Sequence, residues 1–201
     1  MSAGDQKSWD ERYRSGEFSY RLTDAFVTDA HENYLLPLLS AGSTGLDLAG
    51  GAGHHAIWLA QQGWRMTLAD WSGVALEIAR QRAHDEGVDR LETLQGGATE
   101  VVEEFHAEGR RFGFLLVSFF LDRAVLPWLP KILAPDGLLL YRTYTADNQR
   151  LGNPRGPRDP KYLLRSQELL EAFPGLKILH YNETVVAKGV AELIAQRTSA
   201  S

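Results

Sequence analysis

The sequence predicts a single α/β domain, a doubly wound and mostly parallel sheet of Rossmann-like type. Three observations predict it. Leu46-Asp47-Leu48-Ala49-Gly50-Gly51-Ala52-Gly53 reads as a buried strand, a glycine-rich turn and then a helix from His54. A second acid, Asp70, closes the next apolar strand, Met66-Thr67-Leu68-Ala69. Phe112 to Phe119 is a nearly continuous apolar run, as suits a strand buried on both faces of a parallel sheet.

The elements follow in order. Residues 1–25 are polar and aromatic, with Trp9, Tyr13, Phe18 and Tyr20, and read as an N-terminal arm before a domain over 26–201. A helix is expected over Val27–Leu39, with Leu35, Leu36, Leu38 and Leu39 on its apolar side and Pro37 as a kink or boundary. Strand 44–49 leads to helix 54–62, which ends at Gly63. Strand 65–70 leads to Ser72 as N-cap of helix 73–86, which ends at Gly87. Strand 91–95, a helical stretch at 99–108 and strand 112–119 come next. A helix near 123–133 precedes the turn signal Pro135-Asp136-Gly137 and strand 138–145. Residues 146–162 hold Pro154, Pro157 and Pro160 and read as a long loop of the kind that carries function. A helix at 166–173 and two strands joined through Lys188-Gly189 close the chain as an antiparallel pair. Strands alternating with helices make an α/β fold.

Composition bounds the function. The 201 residues are 44% hydrophobic, enough for one domain with a sizeable core. No apolar run approaches the roughly 20 residues that span a bilayer. The charged N-terminus does not read as a signal peptide, so cytoplasmic residence and no membrane partner are expected. There is no cysteine, which removes disulfides, thiolate metal sites and cysteine nucleophiles. The six histidines lack metal-binding spacings, and no metal is expected. A formal net charge of -5 disfavours nucleic acid, whose binding depends on phosphate contacts. A small-molecule partner is expected, with the chain a monomer or weak homodimer.

Gly51-Ala52-Gly53-His54-His55-Ala56 fits the dinucleotide pattern G-x-G-x-x-G/A, and Asp70 follows Gly51 by 19 positions, near the spacing of a ribose-binding carboxylate. The pattern alone admits NAD. Asp47 argues against it, because a carboxylate beside a pyrophosphate is repelled. S-adenosylmethionine carries no phosphate, and its ammonium and sulfonium both favour a nearby acid. Three readings stay open: a methyltransferase, an NAD(P)-dependent oxidoreductase, and a non-catalytic cofactor-binding module.

Asp-Leu-Ala-Gly-Gly-Ala-Gly with a downstream Asp70-Trp71-Ser72 resembles the class I S-adenosylmethionine-dependent methyltransferases. Phe120-Leu121-Asp122-Arg123, Leu138-Leu139-Leu140-Tyr141 and Asn153-Pro154 through Tyr162-Leu163-Leu164 are similar to small bacterial methyltransferases of the tellurite-resistance type. The resemblance covers most of residues 31–185. It implies a seven-stranded sheet of order 3-2-1-4-5-7-6 with the last strand antiparallel. It also implies S-adenosyl-L-methionine held by Asp47, Ala49, Gly50, Gly51, Gly53, Asp70, Trp71, Ala98, Thr99, Glu100, Ser118 and Phe119. The chain departs from the family in three places. Gly50 stands where cysteine is common, and His54-His55 where Arg-His is common. The acid after the third strand is missing, and Gly96-Gly97-Ala98-Thr99-Glu100 stands there, leaving adenine recognition to backbone groups or Glu100.

Ligands of open α/β sheets bind beyond the carboxyl ends of the strands. Asp122 and Arg123, after the fourth strand, and Tyr144, ending the fifth, are therefore candidates to contact the acceptor. Asp122 has a second reading as the cap of the helix that follows. Methyl transfer needs alignment rather than a protein nucleophile, so no catalytic triad is expected. The arm is a candidate cover for the cofactor through Trp9, Tyr13, Arg14 or Tyr20, or else a cover for a helix or sheet edge. The 146–162 loop is a candidate lid whose arginines suit an anionic substrate.

Overall fold

The computed structural model describes residues 3–16, 22–151 and 156–199. Its centre is a seven-stranded sheet of order β3-β2-β1-β4-β5-β7-β6. The strands are β1 (Thr44–Leu48), β2 (Arg65–Asp70), β3 (Leu91–Gln95), β4 (Phe112–Ser118), β5 (Leu133–Tyr144), β6 (Lys177–Thr184) and β7 (Val190–Gln196). Strands β1 to β5 run parallel, and β7 is antiparallel to both β5 and β6. The helices are α1 (Ala3–Arg14), α2 (Ala25–Ala30), α3 (Leu36–Leu38), α4 (His54–Gln61), α5 (Gly73–Asp85), α6 (Ala98–Ala107), α7 (Leu129–Ile132), α8 (Asp147–Arg150) and α9 (Glu168–Ala172). None is long and apolar enough to cross a membrane among the described residues.

Period-two alternation divides the core into two layers. Leu46, Leu48, Leu115 and Val117 face one way, against Val101, Val102 and Phe105 of α6. Met66, Leu68, Phe114 and Leu116 face the other way, against α4 and α5 through Leu59, Leu76 and Ala79. Every central strand is therefore buried on both sides, which is why β4 reads as a continuous apolar run. The chain leaves β1 toward β2 on one side, and β4 pairs with β1 on the other. This reversal opens a crevice at the carboxyl ends of β1 and β4, where ligands of such sheets bind.

Three expected elements are corrected. The helix over 27–39 is a helical segment interrupted by a π-turn at His31–Leu35, just before Pro37, whose missing N–H breaks the α pattern. Leu36 and Leu38 are exposed at 56% and 45%, so they lie off the apolar side that Leu35 occupies. The helix at 123–133 shrinks to α7, preceded by turns, because Pro127 and Pro130 interrupt it. The turn at 135–137 is absorbed into β5 as an irregularity: Phe112 pairs with Leu133 but Phe114 with Leu138, and Asp136 takes φ 60°. The 146–162 loop contains α8 and a 3-10 turn at Pro160–Tyr162, and residues 152–155 lie outside the described residues.

Gly45 shows how closely the side chains of the neighbouring strands β2 and β4 close over β1. A Cβ there would fall on the Phe114 ring and 2.7 Å from Met66 Sδ. Gly45→Ala is expected to cost about 1–3 kcal/mol of unfolding free energy by overpacking, read from urea titration.

Candidate active site

The glycine turn is built on the end of β2. The Ala49 and Gly50 N–H groups both donate to the Ala69 carbonyl, at 2.8 and 3.3 Å. Ala49, Gly51 and Gly53 take φ of 57°, 58° and 72°, a left-handed conformation that glycine adopts without strain. Asp70 then clamps two turns together. One carboxylate oxygen accepts the Gly51 N–H at 2.8 Å, and the other accepts the Ser72 N–H at 2.8 Å. Burial pushes the Asp70 pKa up, and these N–H groups oppose that shift.

Asp47 differs from its expected place. It is 0% exposed, so it does not line the crevice; it lies beneath the turn. A Cβ on Gly50 would stand 2.5 Å from the Asp47 Cγ. Only a residue without a side chain fits above this carboxyl. Neither carboxyl oxygen reaches a hydrogen-bond donor in good geometry, although the Ala56 N–H leans toward it and lowers its pKa slightly. Burial first, and the charge of Asp70 second, push the Asp47 pKa up to about 7.

The N-terminal arm is a helix that packs on this turn. The Gln6 amide donates to the Trp71 carbonyl at 3.0 Å. The Ser72 hydroxyl donates to Asp10 and accepts the Ala75 N–H at 3.1 Å, so it caps α5 while holding α1. The Tyr13 hydroxyl lies against Gly51, where a Cβ would collide with it. Of the aromatic residues expected to cover the site, Tyr13 is in place, whereas Tyr20 lies outside the described residues.

At the end of β3, Glu100 serves its own helix: the Gly97 N–H donates to its carboxylate at 3.3 Å, capping α6. Gln95 is the side chain that sequence reasoning missed. It pairs in register with Asp70 and donates to the Trp71 carbonyl at 3.3 Å. Its signal was position, the last residue of β3 level with the β2 acid. Ala98 is buried, and Thr99 stands half-buried beside it.

The ends of β4 and β5 form the other half. The Ser118 hydroxyl is buried with no partner. Phe119 takes φ 55°, unusual for a non-glycine residue, and its N–H donates to the Arg142 carbonyl at 2.7 Å. Its ring is 39% exposed and lies 4.8 Å from the Tyr144 ring. Arg142 stands 4.8 Å from the Phe119 ring centre. It pairs with Asp24 at 2.7 Å and faces Glu192 at 3.2 Å. His55 Nε2 lies 3.8 Å from Asp24; burial first, then Arg142, push the His55 pKa down to about 4, so its ring is neutral near pH 7. Asp24, His55 and Glu192 were not singled out from sequence, because their meeting depends on three separate elements. Gly156 packs on the Tyr144 ring, which brings the 146–162 loop to this edge. Among the described residues, no group of three or more His, Asp or Glu side chains is placed to hold a metal.

Residues 46–137 match the family model of the methyltransferase domain. The match runs from β1 to the start of β5 and includes the glycine turn, Asp70, Gln95 and Phe119. Over this segment, just under half of the chain, the sequence is similar to methyltransferase domains. No curated protein matches the chain in sequence. Solved structures match it in fold. One, from work on the conversion of a disulfide bond into a thioacetal group during echinomycin biosynthesis, is 18% identical with a TM-score of 0.74, covering 98% of this chain and 94% of its own. TehB from Haemophilus influenzae is 16% identical with a TM-score of 0.69, covering 94% and 67%. A SAM-dependent methyltransferase from Aquifex aeolicus is 17% identical with a TM-score of 0.64, covering 98% and 100%. At such identities the likeness is one of fold.

Two residues expected to contact the acceptor are otherwise engaged. Arg123 donates from Nε and Nη2 to Glu168 at 2.6 and 3.0 Å, and from Nη1 and Nη2 to the Lys161 and Leu163 carbonyls at 2.6 and 3.0 Å. All its nitrogens are occupied in tying the 160s segment to the end of β4. Asp122 accepts the Ala124 N–H at 3.0 Å and caps the turn that follows. Arg123→Ala is expected to lower stability by about 2 kcal/mol, the scale of lost hydrogen bonds to a charged group, with cofactor affinity unchanged in calorimetry.

Asp47 makes the stability of the fold pH-sensitive. Its folded pKa lies above its unfolded value, so the folded state holds the proton more tightly. Stability in the free protein then falls as pH rises through the window from about 4 to about 7. Asp47→Asn is expected to raise the melting temperature at pH 8 more than at pH 5, measured by thermal unfolding without ligand.

Proposed function

We propose that this chain transfers a methyl group from S-adenosylmethionine to a small-molecule acceptor, with a soft heteroatom such as sulfur as the first acceptor to test. The observation that carries the reading is the buried Asp47 carboxyl, unpartnered beneath Gly50 and next to Asp70. A buried carboxyl with only the Ala56 N–H leaning toward it fits a cationic ligand and opposes a pyrophosphate. A fold neighbour described by sulfur chemistry, the conversion of a disulfide bond into a thioacetal group, motivates the choice of acceptor.

When bound, S-adenosylmethionine supplies an electrophilic methyl carbon on a sulfonium. In this reading Asp70 accepts from the ribose hydroxyls with the lone pairs left free by Gly51 and Ser72. Ala49, Gly50, Gly51 and Gly53 keep the turn low enough for close backbone approach. Asp47 stabilises positive charge from beneath the turn. Trp71, Gln95, Ala98 and Thr99 form the adenine edge, where no acid stands. Ser118, Phe119 and Tyr144 face the acceptor and exclude water from it. Alignment of acceptor and methyl group in a dry site is the main contribution asked of the protein, and such positioning is worth ~7–11 kcal/mol.

Titration of the purified protein with S-adenosylhomocysteine and with NADH tests the reading. S-adenosylhomocysteine is expected to bind and NADH not to bind; the reverse would sink it. Asp70→Ala is expected to weaken S-adenosylhomocysteine binding by ~1–3 kcal/mol through loss of charge-assisted hydrogen bonds. Unchanged affinity would remove Asp70 from the site.

A further inference from the structure

Lys188 is placed at the acceptor end without a partner of its own. It sits on the hairpin between β6 and β7 and is half-buried. The hairpin is tied down: the Thr145 N–H donates to the Gly189 carbonyl at 3.1 Å, and the Gly189 N–H donates to Asn148 at 3.3 Å. The Lys188 ammonium lies 5.9 Å from the Phe119 ring centre. The two nearby carboxylates, Asp24 and Glu192, are both taken by Arg142. Among the described residues Lys188 has no ion pair. Burial first, then the charge of Arg142, lower its pKa, and Asp24 and Glu192 oppose that shift from beyond ion-pair distance. Arg142 Nε is itself buried without a hydrogen bond, despite Glu192 at 3.2 Å.

Beside these cations stands an aromatic shelf. Phe119 is held in a left-handed conformation with its ring partly exposed, and Tyr144 extends the apolar surface. Backbone strain that presents an aromatic ring at a strand end is a cost expected where the ring is used. An inorganic oxyanion would meet the cations but leave this shelf uncovered.

We propose that the acceptor is an organic acid, its carboxylate held by Lys188 with Arg142 behind it and its apolar body laid on the Phe119 ring. This rests on the methyl-transfer reading above and names the substrate class of the same site. An entering carboxylate gives Lys188 the counter-ion it lacks, and the shelf removes apolar ligand surface from water.

A probe with a soft acceptor is 3-mercaptobenzoate, compared with its methyl ester, which keeps the ring and thiol and removes the charge. Both are titrated into the full chain saturated with S-adenosylhomocysteine, for the natural protein, Lys188→Ala and Lys188→Glu. The acid is expected to bind about tenfold tighter than the ester, an ordinary value for one partly buried charge pair. Lys188→Ala should bring the two near parity, and Lys188→Glu should reverse the preference. Unaltered S-adenosylhomocysteine affinity and melting temperature show that the variants are folded. Equal binding of acid and ester, or an acid preference indifferent to both substitutions, overturns the anion site. Inorganic selenite binding as tightly as the acid overturns the organic body. Failure of S-adenosylhomocysteine to bind the natural protein overturns instead the methyl-transfer reading beneath it.

Discussion

The Asp70 carboxylate, held between the Gly51 and Ser72 N–H groups, is the constraint on which the site depends. It joins the turn after β1 to the turn after β2, two loops that share no covalent neighbour. Through Gly51 it sets the height of the glycine turn. Through Ser72 it places the cap of α5, and Ser72 in turn holds Asp10 of α1. Strand ends, helix starts and the N-terminal helix therefore share one hydrogen-bonded junction. The cost is a carboxylate kept in a poorly hydrated place, and the two N–H donors offset it.

The crevice is polarised along the sheet. At the β1 turn stand two acids, and Asp70 adds to burial in raising the proton affinity of the fully buried Asp47. Across β4 stand Arg142, paired with Asp24 and Glu192, and Lys188, without an ion pair among the described residues, both beside the Phe119 ring. Such a field suits a cationic donor on one side and an anionic acceptor on the other, with the neutral Ser118–Phe119 corner between them. The separation follows from the strand order, because β1 and β4 are neighbours whose following loops diverge.

Much of this was legible in the sequence for definite reasons. Glycines at 50, 51 and 53 signal a backbone that must turn tightly, and an acid ending the next strand lies close because parallel neighbours share register. Alternation of apolar stretches with turn residues made α4, α5, α6 and every strand except β5 readable to within a residue or two. The reading failed where two roles have the same local pattern. Arg123 after a strand looks the same whether it meets a substrate or a carboxylate 45 positions later, and it meets Glu168. Glu100 looked like a ligand for adenine and caps its own helix. Asp47 looked like part of the lining and is sealed under Gly50.

The sequence by itself determined the α/β class, the glycine turn, the spacing of its acids and the resemblance to methyltransferases, because these rest on local periodicity and on short fixed offsets. Only the tertiary structure decided which side chains are free to act. Arg142 is committed to Asp24 and Glu192, Arg123 is spent on Glu168, and Lys188 is left facing Phe119. The physical reason is that electrostatic pairing is settled by proximity in space. The chain brings those partners together only when strands and hairpins far apart in sequence close the same edge of the sheet.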